Sequence, residues 1–113
     1  VRVGQKLNIN VVPFGGAEAD TWANAGQRNV YKQLDRILGE KTGTEDWRPS
    51  MAQDVLKGRP TEIMQMNGFV STQGKSIGIN TPINDVVTKM ITDIDNGLIK
   101  PSFTNIDKIM SFS

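Results

Sequence analysis

The stretch Thr81-Pro82 followed by Ile83, Val86, Val87, Met90, Ile91 and Ile94, and closed by Asn96-Gly97, limits what this chain can fold into more than any other feature. A threonine stands where a cap is needed. A proline occupies a first helical position, where no N–H bond is lost. Apolar residues then recur three and four apart as a wide stripe, and Asn-Gly ends the run. The pattern predicts a helix over about 81–96, and weaker versions of it recur along the chain. Pro60 suits a first helical position, with Ile63, Met66, Val70 and Ile77 on one face before Gly78. Ser50 to Lys57 reads as a short helix ended by Gly58. From Asp20 to Gly39 the spacing of Tyr31, Leu34, Ile37 and Leu38 predicts an amphipathic helix capped by Asp20 or Thr21. Gly39 and residues 41–45 close that helix, and Pro49 marks the next boundary. Residues 1–21 read as a helix end and an extended connection, the run Leu7, Ile9, Val11, Val12 being broken by Pro13 and Gly15-Gly16. The tail from Leu98 to Ser113 shows no firm period. No segment reads as strands joined by hairpin turns. The expectation is a small all-α domain spanning residues 1–113, with the five methionines filling gaps in its core.

Composition excludes several kinds of function. Thirteen basic residues against 12 acidic give a formal charge of +1, with no electrostatic footprint for nucleic acid or an anionic membrane. No apolar run is long enough for a transmembrane helix, and no signal peptide is visible. Cysteine is absent, which removes disulfides and thiol nucleophiles; we place the chain in the cytoplasm, with which this is compatible. Histidine is absent too, so there is no Ser–His pair and no imidazole metal ligand. We assign no metal. Acid–base work falls to carboxylates, lysines or Tyr31. Hydrophobic residues are only 37% of the chain, so part of its apolar surface is expected to be completed by a partner. The first residue is Val1, and the chain reads as a piece of something longer.

Taken one at a time, the polar residues have ordinary explanations. Ser50 and Gln53 have the spacing of a capping box. Glu62 in a first helical turn favours the positive end of the helix dipole. Asp54 on a short helix is ordinarily solvated, and Arg59 before a proline is ordinarily a surface ion-pair partner. Asn67 suits a helix poorly and is expected to hydrogen-bond a neighbouring backbone, while Gly68 permits close helix contact. Gly15-Gly16 is a turn; it has neither the preceding strand nor the spacing of a nucleotide loop.

The order of these residues says more. Ser50-Met51-Ala52-Gln53-Asp54, Gly58-Arg59-Pro60-Thr61-Glu62-Ile63, Asn67-Gly68 and Gly78-Ile79-Asn80-Thr81-Pro82-Ile83-Asn84 follow one another at close spacing. This run closely resembles the C-terminal signature of the ketopantoate reductase family. The resemblance implies a helical C-terminal domain of the 6-phosphogluconate dehydrogenase C-terminal-like type, here lacking its first long helix. It implies partnership with the protein's own N-terminal Rossmann domain, which binds most of an NADPH cofactor and is missing here. It implies reduction of 2-dehydropantoate to pantoate on the route to coenzyme A, hydride coming from the nicotinamide and an acid protonating the developing alkoxide. Ser50 takes the role of a substrate hydrogen-bonding residue and Asp54 a lesser one at the substrate. Glu62 takes a catalytic place beside substrate and nicotinamide ribose, and so a cofactor-binding one. The family's lysine helix, a lysine followed by asparagines on later turns, has no full counterpart: Lys6 and Asn10 supply one step and Pro13 interrupts the next. We expect that helix upstream of Val1, and the chain alone inactive. The substrate expected is a small 2-oxo acid. A related reductase of another 2-oxo acid, or a stand-alone helical module dimerising through its methionine-rich faces, would share many of these residues. Association into a homodimer or higher oligomer is expected of a piece with uncovered apolar faces.

Overall fold

A computed structural model describes residues 1–39 and 49–111. They form seven helices and no named strand among the described residues: α1 (Arg2–Lys6), α2 (Ala19–Ala23), α3 (Arg28–Gly39), α4 (Ser50–Leu56), α5 (Asn67–Ser76), α6 (Pro82–Asp95) and α7 (Thr104–Met110). The all-α expectation holds. No described helix is long and apolar enough to cross a membrane. The chain divides into two compact units, Val1–Asp46 and Trp47–Ser113.

In the first unit the expected helix end is α1, and the connection after it carries a two-residue turn. Phe14 and Ala17 exchange backbone hydrogen bonds, each of 3.1 Å, around Gly15 and Gly16, whose φ angles of 61° and 92° need glycine. Trp22 stacks on Phe14 with ring centroids 5.1 Å apart, and its indole N–H donates to the Phe14 carbonyl at 2.9 Å. The helix expected over Asp20–Gly39 is two helices instead. Asn24 caps α2 at its C-terminal end and its amide donates to the Asp20 carbonyl at 2.9 Å, while Gly26 sits in open space at the break. Neither Asp20 nor Thr21 caps it; α2 begins at Ala19 after Glu18, with no side-chain cap bond. Of the α3 stripe only Leu34 is buried, and Tyr31 and Leu38 are exposed. Residues 41–45, expected to close this helix, lie outside the described residues.

The second unit is organised by α6, which starts and stops where the sequence predicts. Its end is a Schellman turn: Gly97 N–H donates to the Ile94 carbonyl at 2.9 Å and Leu98 N–H to the Asp93 carbonyl at 2.8 Å. α5 packs on α6 through Gly68, Ser71 and Gly74, three buried small residues three apart. The expected stripe on α5 is therefore corrected: Ile63 is 1% exposed, but Met66 is 54% exposed and lies outside the helix. Gly74 must be small to pass the segment that leads into α6, because a Cβ there would sit 2.8 Å from the Ile79 carbonyl oxygen and from Thr81 Cγ2. The methionines correct a second expectation. Met90 is buried, yet Met64, Met66 and Met110 are more than half exposed. The tail is not irregular either: Ser102 Oγ accepts from Thr104 N–H at 3.2 Å and starts α7, which packs on α6. Between α4, α6 and α7 lies an apolar groove of about 600 Å³, lined by Met51, Val55, Met90, Ile94, Ile106 and Ile109 among others.

Candidate active site

Ser50, Asp54, Arg59 and Glu62 all lie in the second unit, and the geometry starts with α4. Ser50 is its first residue and is exposed; the helix is preceded by Pro49 and has no side-chain cap bond. The capping explanation of Ser50 thus fails, and its hydroxyl stands at a helix start without that task. Asp54 is one turn on, on the same face. Gly58, with φ 64°, reverses the chain so that Arg59 N–H donates to the Asp54 carbonyl at 2.9 Å. The Arg59 guanidinium then pairs with the Asp54 carboxylate at 3.0 Å. Arg59 is the ion-pair partner that the sequence suggests, and its partner is a residue assigned to the substrate. The pair joins the first signature block to the second.

The second block does not open a helix at Pro60. Glu62 begins a single hydrogen-bonded turn, its carbonyl accepting from Gln65 N–H and Met66 N–H at 3.1 Å each, and α5 starts only at Asn67. Met66, with φ −101° and ψ −95°, separates the two. The reason is a bond that no local pattern shows. Asp95 Oδ2, at the end of α6, accepts from Thr61 N–H at 3.1 Å and from the Thr61 hydroxyl at 2.7 Å, 34 residues away. Thr61 Oγ1 in turn accepts from Ile63 N–H at 3.4 Å. With Thr61 held by Asp95 and Ile63 sunk in the core, the backbone of Glu62 is fixed on both sides while its side chain is exposed. A single turn carries little of the dipole that would explain a glutamate at a helix start. The Glu62 carboxylate makes no ion pair or hydrogen bond with another described residue.

The third and fourth blocks meet side chain to side chain: Asn67 Nδ2 donates to Asn84 Oδ1 at 3.0 Å. Asn67 thus serves as a hydrogen-bonding group, toward a side chain rather than backbone. Gly68 does permit close approach, since a Cβ there would lie 3.4 Å from Thr88 Cγ2 on α6. Thr81 is buried against Gly74, and its hydroxyl donates to Asp85 Oδ1 at 3.3 Å. The four blocks are therefore linked through Asp54–Arg59, through the backbone turn at Glu62, and through Asn67–Asn84. No hydrogen bond among the described residues joins Ser50 to Glu62. Sequence reasoning passed over Asp95, and it placed Asn84 in the fourth block without its partner Asn67. One signal pointed to Asp95: a carboxylate at a helix C-terminus opposes the dipole, and the last turn of α6 holds no basic residue to offset it.

Comparison with known proteins gives the chain a family. Residues 1–95 match the family model described as "Ketopantoate reductase PanE/ApbA C terminal". A 2-dehydropantoate 2-reductase of Aquifex aeolicus is 46% identical over 48 residues, 42% of this chain and 15% of that protein. One from Streptococcus pyogenes serotype M1 is 46% identical over 44 residues, 38% of this chain and 14% of the relative. One from Archaeoglobus fulgidus is 31% identical over 55 residues, 49% of this chain and 19% of the relative. The matched stretch is thus under a fifth of each relative's length. No solved structure matches the chain.

Proposed function

Because the chain belongs to the ketopantoate reductase C-terminal family, we propose that it forms the substrate-side wall of an NADPH-dependent 2-dehydropantoate 2-reductase, as its curated relatives are named. The observation that carries this reading is Glu62: an exposed carboxylate without a partner among the described residues, on a backbone held at Thr61 and Ile63. A carboxylate so presented fits the hydroxyls of a ribose or of a substrate, because accepting their hydrogen bonds displaces no existing contact. When bound, NADPH supplies hydride to the keto carbon of the substrate. Glu62 orients the reactants by accepting hydroxyl hydrogen bonds, and the closed site strengthens those bonds by excluding water. Ser50 donates its hydroxyl to the substrate from the start of α4. Asp54 is a lesser contributor, since Arg59 already holds its carboxylate. The proton for the new alcohol comes from an acid, in this family a lysine, which we assign to no residue of this chain.

Steady-state kinetics beside thermal melts, on full-length reductase variants, test the reading. Glu62→Gln is expected to lower kcat/KM by about 100-fold or more with the melting temperature nearly unchanged. Ser50→Ala is expected to raise KM for 2-dehydropantoate, by a loss of about 1–3 kcal/mol in substrate binding, and to leave NADPH affinity alone. Near-wild-type turnover with a lowered melting temperature would make both residues structural.

A further inference from the structure

The aspartate at the end of α6 has a geometry that its own helix does not call for. Asp95 is the last residue of α6, where a negative charge meets the negative end of the dipole and no basic residue stands in the last turn. Its neighbour Asp93 is already paired, accepting from Lys89 Nζ at 2.7 Å. The Asp95 carboxylate instead turns to the next segment, where one oxygen takes both the N–H and the hydroxyl of Thr61. Thr61 hydroxyl oxygen then holds Ile63 N–H, so the chain of bonds brackets Glu62 and touches none of its side-chain atoms.

We propose that Asp95 is a positioning residue for Glu62: it fixes the backbone from which that carboxylate reaches the reacting groups. The inference rests on the assignment of Glu62 to the active site. Two bonds to one residue restrain rotation about the Thr61 backbone as a single bond would not, and charge-assisted bonds to a carboxylate are stronger than neutral ones. Ile63 supplies the second restraint by burial. Without Asp95 the turn at 62–66 keeps its internal bonds and Ile63 keeps its contacts, but the segment loses its tie to α6. The effect expected is a displaced carboxylate rather than an unfolded domain.

A double-mutant cycle in the full-length reductase tests this, with 2-dehydropantoate and NADPH as the probes. Asp95→Ala is expected to lower kcat by about 100-fold, the loss that a misplacement of the order of an ångström produces, with the KM for NADPH little changed. Asp95→Asn keeps an acceptor oxygen in place and is expected to restore most of that loss. In a Glu62→Gln background Asp95→Ala is expected to cost almost nothing further, because no carboxylate is left to position. A loss that multiplies fully with that of Glu62→Gln, or no loss at all, would overturn the positioning role while leaving Glu62 in place. Wild-type turnover of Glu62→Gln alone would overturn the reading of the site and the role of Asp95 with it. Should Asp95→Ala fail to fold, Thr61→Val completes the same cycle: it removes the 2.7 Å bond to Asp95 and the 3.4 Å bond from Ile63 N–H, and keeps the backbone bond to Asp95. It must then lower kcat where Glu62 is intact and leave kcat unchanged in the Glu62→Gln background.

Discussion

Two polar pairs of the second unit, Arg59–Asp54 and Asn67–Asn84, differ in strength in the order opposite to their charge. The Arg59–Asp54 pair is short at 3.0 Å, but the arginine side chain is 58% exposed, so water competes for it. Arg59→Gln is expected to cost under about 1 kcal/mol, and the cost should shrink as salt rises. Urea denaturation at low and high ionic strength measures it; a salt-independent loss above that size would mean that the backbone reversal depends on the guanidinium. The Asn67–Asn84 pair is half-buried, and Asn84→Ala strands the Asn67 amide. A loss of about 1–2 kcal/mol is expected, larger than for the ion pair although neither group is charged. Equal or smaller loss on the same denaturation curve contradicts it. These contrasts show what could be read in advance. Arg59 as an ion-pair partner, Asn67 as a hydrogen-bonding residue and Gly68 as a contact point follow from residue type and position. The pairings of Asp95 with Thr61 and of Asn67 with Asn84 did not, because the partners lie 34 and 17 residues apart and no local rule joins them.

At the level of helices, agreement between sequence and structure follows the reach of the signal. α6 begins with Thr81-Pro82 and ends with Asn96-Gly97 because cap, proline and Schellman turn act within a few residues. The same proline signal failed at Pro60, where the Thr61 groups that would open a helix are taken by Asp95 and the helix waits until Asn67. The break between α2 and α3 falls inside the single helix expected over Asp20–Gly39, although Asn24 and Gly26 are local signals that oppose helix continuation. α5 teaches the converse: its apolar residues mislead because the buried face is glycine and serine. That gives a paired prediction. Gly74→Ala puts a Cβ 2.8 Å from backbone and is expected to cost about 1–3 kcal/mol despite the better helix propensity of alanine. Gly68→Ala meets the flexible end of Met64 at 3.3 Å, which can move, so propensity offsets the crowding and the change should stay within about 1 kcal/mol. Chemical denaturation of both variants decides; equal losses would refute the claim that the Gly74 contact is the rigid one. Ser71 Oγ, buried without a hydrogen-bond partner among the described residues, adds a third case: Ser71→Ala should be neutral or stabilising.

For the whole chain the question is whether its own core suffices. Ile63 is the only large side chain among the described residues that is essentially sealed from solvent, and Val3, Ala19, Leu34 and Met90 complete the buried apolar set. Against them stand Leu56 at 65% exposure, Ile106 at 54%, Leu98 at 72% and Phe103 at 91%. Burying any one such side chain fully is worth about 1.5–3 kcal/mol. Leu56 and Ile106 line the groove between α4, α6 and α7, so the exposed surface there is contiguous rather than scattered. Apolar surface gathered in one place favours association over exposure to water. The 113-residue chain made by itself is therefore expected to self-associate, with its melting temperature rising with concentration because association stabilises the folded form. It is also expected to show no NADPH oxidation dependent on 2-dehydropantoate, since its one Gly-Gly pair forms a hairpin turn and no glycine-rich nucleotide loop is present in these residues. Light scattering across a wide concentration range, beside thermal melts at the same concentrations, tests the association. A single monomeric mass with a concentration-independent melting temperature would show that the exposed apolar residues need no cover, and that the small core holds the fold without it.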